Sequence, residues 1–98
     1  MRYKLNDAVY EVLLDIDSEY LRRYPSMTSF AEGICEKLRF FNQVSREEAK
    51  LLFKFLLTKR EILTEINSLI VGGFQAPRNL VDSLVEGFER GPESSTAR

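Results

Sequence analysis

The chain has 98 residues, of which 44% are hydrophobic and 30% are charged, and its formal net charge is −1. This length is typical of a single domain with one modest core, and the composition excludes a globally disordered chain. A net charge near zero excludes a strong overall attraction for nucleic acid or anionic lipid.

The first apolar pattern predicts a helix that runs from Asn6, its expected cap, to Tyr24. Pro25 is expected to end this helix, because the residue before a proline is disfavoured in helical geometry. Apolar side chains recur at spacings of three and four residues along it, at Leu5, Val9, Val12, Leu13, Ile16 and Tyr20.

The carboxyl end of this helix reads YLRRY and contributes four candidate contact residues, Tyr20, Arg22, Arg23 and Tyr24. Tyrosine and arginine are common interface anchors, because they combine a large contact area with a polar end. In the alternative interpretation, Tyr20 belongs to the core and the two arginines simply complement the negative end of the helix.

A second helix is predicted over residues 26–41. Ser29 begins a capping box there, unless Ser26 or Thr28 is the cap. Gly33 in the helix interior predicts a close crossing with a neighbouring element. The apolar stripe of this helix consists of Phe30, Ile34, Leu38 and Phe41.

The third predicted helix, from Ser45 to Gly73, is the longest, at about seven turns. Ser45 with Glu48 forms a capping box at its start, and Gly72-Gly73 is expected to close it in the left-handed conformation. Lys59 falls within the apolar face, where it is expected to snorkel or to find a carboxylate. That face is wide enough to need several packing partners and contains Leu51, Leu52, Phe55, Leu56, Ile62, Leu63, Ile66, Leu69 and Ile70.

A fourth helix is predicted after Pro77, ending at Gly91-Pro92. The fold class is therefore all-α, a compact bundle of four helices with a long central third helix. Residues 1–91 are expected to form this single domain, and residues 92–98 a disordered tail.

Charge is distributed unevenly along the chain. Residues 37–60 hold seven basic and two acidic side chains, a net charge of +5, whereas residues 1–36 and residues 61–98 each carry −3. The basic middle either pairs with the acidic flanks inside the bundle or forms a dedicated anion-binding surface.

The basic residues of the third helix share one face with two apolar side chains. Cations recur every four residues along this face, and the apolar residues fall among them, which is typical of a surface that contacts another molecule. The candidate contact residues here are Arg46, Lys50, Phe53, Lys54, Leu57 and Arg60.

The inventory of chemical groups argues against catalysis. The chain contains no histidine, so the commonest general base is missing, and its single cysteine, Cys35, is expected to be a buried apolar residue in a reducing compartment. Carboxylate pairs four residues apart, such as Glu32 with Glu36, are expected to be solvated helix faces. There is no P-loop, and no metal-binding pattern or cofactor site is expected.

The sequence predicts a small non-enzymatic protein that docks onto a larger protein or complex as an adaptor, regulatory subunit or inhibitor. Some of its contact residues would alternatively form a homodimer interface. The other class is a nucleic-acid-binding helical domain that uses the basic face of the third helix. A helix-turn-helix reader is disfavoured, because its recognition helix needs a polar face. With no expected signal peptide or membrane span, the predicted location is cytoplasmic.

Overall fold

The computed structural model describes residues 4–23 and 25–88, and this part of the chain contains helices and no strands. The predicted all-α class is therefore confirmed, but the described residues form six helices and not a bundle of four with one long central helix. The predicted tail at residues 92–98 lies outside the described residues. The radius of gyration is 12.9 Å, close to the value of about 13 Å expected for a compact chain of this length. The helices of the described residues are α1 (Leu5–Leu14), α2 (Ser18–Arg23), α3 (Met27–Phe40), α4 (Arg46–Leu57), α5 (Arg60–Val71) and α6 (Arg78–Val85).

The first predicted helix is divided into α1 and α2, so the prediction of one continuous helix in this part of the chain is wrong. The interruption follows from Asp17, whose carboxylate accepts a hydrogen bond from the backbone N–H of Tyr20 at 2.9 Å. Aspartate favours this capping role over a position inside a helix. The expected cap at Asn6 is also wrong, because α1 begins at Leu5 and its capping position is Lys4, two residues before Asn6.

The long central helix is likewise divided, into α4 and α5, at Thr58 and Lys59. The Thr58 hydroxyl donates to the Phe55 carbonyl at 2.6 Å, and the backbone of Lys59 leaves helical geometry with φ −108° and ψ 45°. The Lys59 ammonium reaches the carbonyls of Ser83 at 3.1 Å and Glu86 at 3.3 Å. Lys59 therefore binds the carboxyl end of α6, where a cation is favoured, and not a carboxylate, which was one of the two expected outcomes.

The predicted start and end of this segment are confirmed. Ser45 accepts a hydrogen bond from the Glu48 N–H, and the Glu48 carboxylate accepts one from the Ser45 N–H. Gly73 has φ 93° and closes α5, with the Phe74 N–H donating to the Leu69 carbonyl at 2.8 Å. This pair of features defines a Schellman motif.

Helices α3 and α4 form an antiparallel hairpin, which is the most extensive helix pairing in the fold. Ser26, one of the alternatives, caps α3 by accepting from the Ser29 N–H at 3.0 Å. Asn42 adopts φ 60° after α3, and the Gln43 N–H donates to the Leu38 carbonyl at 2.8 Å. This second Schellman motif reverses the chain directly into the capping box of α4.

The core lies where α1, α3, α5 and α6 meet, and α4 covers it through its own buried face. Gly33 permits the expected close approach, since an added Cβ there would lie 2.5 Å from the Tyr20 hydroxyl. The largest fully buried side chains are Phe30, Leu13, Ile34, Leu38, Leu52, Leu56, Leu63, Ile66, Leu84, Val9 and Val81.

A polar seam joins α1 to α6. Arg78 pairs with Asp7, bonds Asp82 at 3.2 Å and lies over the Tyr10 ring. Asn6 donates to the same Asp82 carboxylate at 3.1 Å, and this bond together with the Arg78 contact lowers the pKa of Asp82. The seam fixes the position of α6 against α1. None of the helices in the described part of the chain is long and apolar enough to cross a bilayer.

Candidate interaction surface

An open cleft of about 270 Å³ lies between α3 and α4. Each helix contributes four residues at the spacing i, i+3, i+4 and i+7, which places them on one stripe of that helix. The residues that line the cleft are Glu32, Cys35, Glu36 and Arg39 from α3 and Arg46, Ala49, Lys50 and Phe53 from α4.

Charge is polarised along the cleft. Because α3 and α4 are antiparallel, Arg39 and Arg46 lie at the end nearest the joint, whereas Glu32 lies opposite, near Phe53. Seven residues of helix separate the two ends, which is about 10 Å. The cleft is therefore basic near the joint and acidic at the other end.

The floor of the cleft is apolar. Ala49 and Cys35 are both 5% exposed, and Phe53 is half-buried against the core. Burial raises the pKa of the Cys35 thiol to about 12, and the carboxylates of Glu32 and Glu36 add to this rise because they disfavour a thiolate. At neutral pH, Cys35 is a neutral thiol that behaves as a small apolar group.

The outer face of α4 carries exposed cations around an exposed leucine. Arg46, Lys50 and Lys54 are all exposed, and none of them has a carboxylate of a described residue within ion-pair distance. Leu51 is 57% exposed, although the sequence places it on the apolar face. The buried face of α4 is narrower than predicted and consists of Ala49, Leu52 and Leu56.

The carboxyl end of α3 presents two aromatic rings to solvent. Phe40 is 78% exposed and Phe41 is 47% exposed, and their rings pack edge to face with centroids 5.1 Å apart. The apolar spacing predicts Phe41 in the stripe of its helix, but Phe41 is the capping residue after the last turn of α3. We refer to Phe40, Phe41 and Leu51 together as the hairpin apolar group.

Three of the predicted contact residues, Arg46, Lys50 and Phe53, are brought together in the cleft. Leu57 is half-buried against the core, and Arg60 is exposed at the start of α5. Lys54, as described above, is on the outer face of α4.

The predicted contact residues of α2 are separate from the cleft. Helix α2 packs against α5, and the half-buried Tyr20 lies beside Gly33 with the Lys37 ammonium 5.3 Å from the centre of its ring. Arg22 and Arg23 are exposed on this helix, and Tyr24 is outside the described residues.

Sequence reasoning missed the acidic wall of the cleft and the hairpin apolar group. The spacing of Glu32, Cys35, Glu36 and Arg39 is visible in the sequence, but it gains meaning only when the matching stripe of α4 is known to lie beside it. The exposure of Phe40 and Leu51 has no local signal, because it depends on which helix faces remain uncovered.

Within residues 4–23 and 25–88, no group of three or more histidine, cysteine, aspartate or glutamate side chains is placed to hold a metal ion. The cleft instead offers what contact surfaces need, an apolar floor with charged walls. Comparison of the chain with protein-family models, with curated proteins and with solved structures finds no match.

Proposed function

We propose that this chain is a non-enzymatic interaction module that docks onto a larger protein or complex through the α3–α4 hairpin. The observation that carries the proposal is the exposure of the hairpin apolar group, with Phe40 at 78% and Leu51 at 57%. Burial of such side chains at an interface would contribute roughly 1.5–3 kcal/mol each. Large exposed apolar residues rimmed by charge are typical of protein contact sites.

Removing the apolar character of the hairpin should abolish docking. We expect the Phe40→Ser/Leu51→Ser double variant to capture less partner than the wild-type chain, by a factor of about ten or more, because it lacks two large apolar contact residues. The measurement is affinity capture from lysate of the source cells, with quantitative mass spectrometry of the retained proteins.

The matched control is the Leu14→Ser/Val71→Ser variant, which replaces apolar side chains that are 42% and 56% exposed on α1 and α5. It should retain the same partner as the wild-type chain. Equal loss of the partner from both variants would mean that the capture reflects nonspecific binding to exposed apolar side chains, and it would contradict docking through the hairpin.

The second candidate function is nucleic-acid binding by the outer face of α4. It is favoured by the exposure of Lys50 and Lys54 without a described carboxylate at ion-pair distance. Such cations are available to phosphates, and their contacts would weaken steeply as salt rises. The acidic wall of the cleft, with Glu32 and Glu36, opposes phosphate binding on the adjoining surface.

The Lys50→Glu/Lys54→Glu variant tests this second candidate. If nucleic acid binds here, fluorescence anisotropy of labelled single- and double-stranded oligonucleotides should show at least about tenfold weaker binding, with unchanged helix content by circular dichroism. Binding that survives in this variant would exclude the face, and wild-type protein that fails to bind at low salt would exclude the class.

A further inference from the structure

The cleft between α3 and α4 is complementary to itself. Its basic end carries Arg39 and Arg46, its other end carries Glu32, and Glu36 and Lys50 lie between the two ends, so a reversed copy of the cleft sets opposite charges against each other. A surface with this property can pair with a copy of itself around a twofold axis.

We propose that two copies of this chain associate through the cleft as an antiparallel homodimer. A twofold axis perpendicular to the cleft reverses its direction in the second copy. Glu32 of each copy then faces the basic end of the other, with Arg39 and Arg46, and Glu36 of each copy lies near Lys50 of the other at the middle, twice per dimer. An axis along the cleft would instead set like charges against each other, which costs several kcal/mol.

The apolar floor supports the same arrangement. Phe53 lies at the acidic end of the cleft, so the reversed copy presents Arg39 and Arg46 above its ring, which is a favourable cation–π placement. The small side chains of Cys35 and Ala49 lie near the middle and allow the two helix pairs to approach closely. Two hairpins packed in this way resemble the four-helix arrangement common in bundles.

The second copy is the occupant that the charges favour. A nucleic acid would meet Glu32 and Glu36, which repel phosphate, whereas the second copy supplies both signs of charge at the required spacing. The inference depends on the cleft residues alone and leaves the hairpin apolar group and Lys54 free for a further partner.

Reciprocal charge reversal tests the dimer. The first variant, Glu32→Arg/Glu36→Arg, makes the cleft basic throughout, and the second, Arg39→Glu/Arg46→Glu, makes it mainly acidic. Each should weaken self-association at least about a hundredfold, because like charges then meet across the interface. An equimolar mixture of the two should form a heterodimer, since opposite charges again face each other at both ends.

The measurement is sedimentation equilibrium of the purified full chain, from low micromolar to submillimolar concentration. Glu61→Arg/Glu65→Arg, which reverses two exposed glutamates at the same spacing on α5, is the matched control and should dimerise like the wild-type chain. A monomeric wild-type chain at every concentration would overturn the inference. A dimer that survives both charge reversals would equally exclude the cleft. Neither result bears on capture of a partner through Phe40 and Leu51.

Discussion

Replacing Phe30 by alanine is expected to lower the free energy of unfolding by about 3–5 kcal/mol. Phe30 is the largest of the fully buried side chains, with 0% exposure, and it packs where α3 meets the rest of the core. A chain of this length has a total stability of about 5–15 kcal/mol, so the loss would be a large fraction of it. Urea denaturation followed by circular dichroism measures the change.

Phe53 provides the comparison, because it is a phenylalanine at the edge of the same core. It is half-buried and lines the cleft, so Phe53→Ala should cost less, about 1–2 kcal/mol. A loss as large as that of Phe30→Ala would make Phe53 a core residue and remove it from the contact surface. A loss below about 1 kcal/mol at Phe30 would contradict its placement in the core.

Alkylation of Cys35 is expected to be at least about a hundredfold slower in the folded chain than in the urea-unfolded chain at about pH 8. The thiolate is the reactive form, and burial raises the pKa of the folded thiol to about 12. An exposed thiol has a pKa of about 8.5, so the thiolate fraction at this pH differs by roughly a thousandfold.

Iodoacetamide labelling followed by mass spectrometry measures both alkylation rates. The sign of the pKa shift also fixes the pH dependence. Alkylation of the folded chain should keep accelerating about tenfold per pH unit towards the raised pKa, whereas alkylation of the unfolded chain levels off above about pH 9. Folded and unfolded rates within tenfold of each other would contradict the buried, carboxylate-flanked thiol. Glutathione, alkylated under the same conditions, corrects for reagent reactivity in urea.

Local signals in the sequence predict local structure well. The Ser45–Glu48 capping box and the glycine at the end of α5 need only neighbouring residues, and both are found where expected. The left-handed Asn42 was missed, since asparagine adopts this conformation less regularly than glycine and the joint had no other signal.

The helix interruptions could not be predicted, because they depend on distant contacts. Apolar spacing continues in phase from Leu56 to Leu63, so the sequence favours one helix across Thr58 and Lys59. What stabilises the break is the bond of the Lys59 ammonium to carbonyls at the end of α6, 24 and 27 residues further along the chain. Helix propensity alone is a weak guide to where a helix ends, because tertiary contacts such as this one override it.

The candidate surface was predictable in part. The basic row of α4 is visible in the sequence, since its cations recur every four residues. Its acidic counterpart, Glu32 and Glu36, is exposed, as the solvated-face prediction requires, but nothing in the sequence places that stripe beside Arg46 and Lys50. The pairing depends on the rotation of two helices about their axes, which side-chain packing determines.

The seam between α1 and α6 also has a consequence for the order in which the chain assembles. Asn6 and Asp82 are 76 residues apart, whereas α3 and α4 are joined by only a short turn. Loop-closure entropy makes the distant contact about 2 kcal/mol more costly to form from a flexible chain. The hairpin that carries the cleft can therefore form early from local contacts. The entropy cost of forming the seam falls once the intervening helices have packed and brought α1 close to α6.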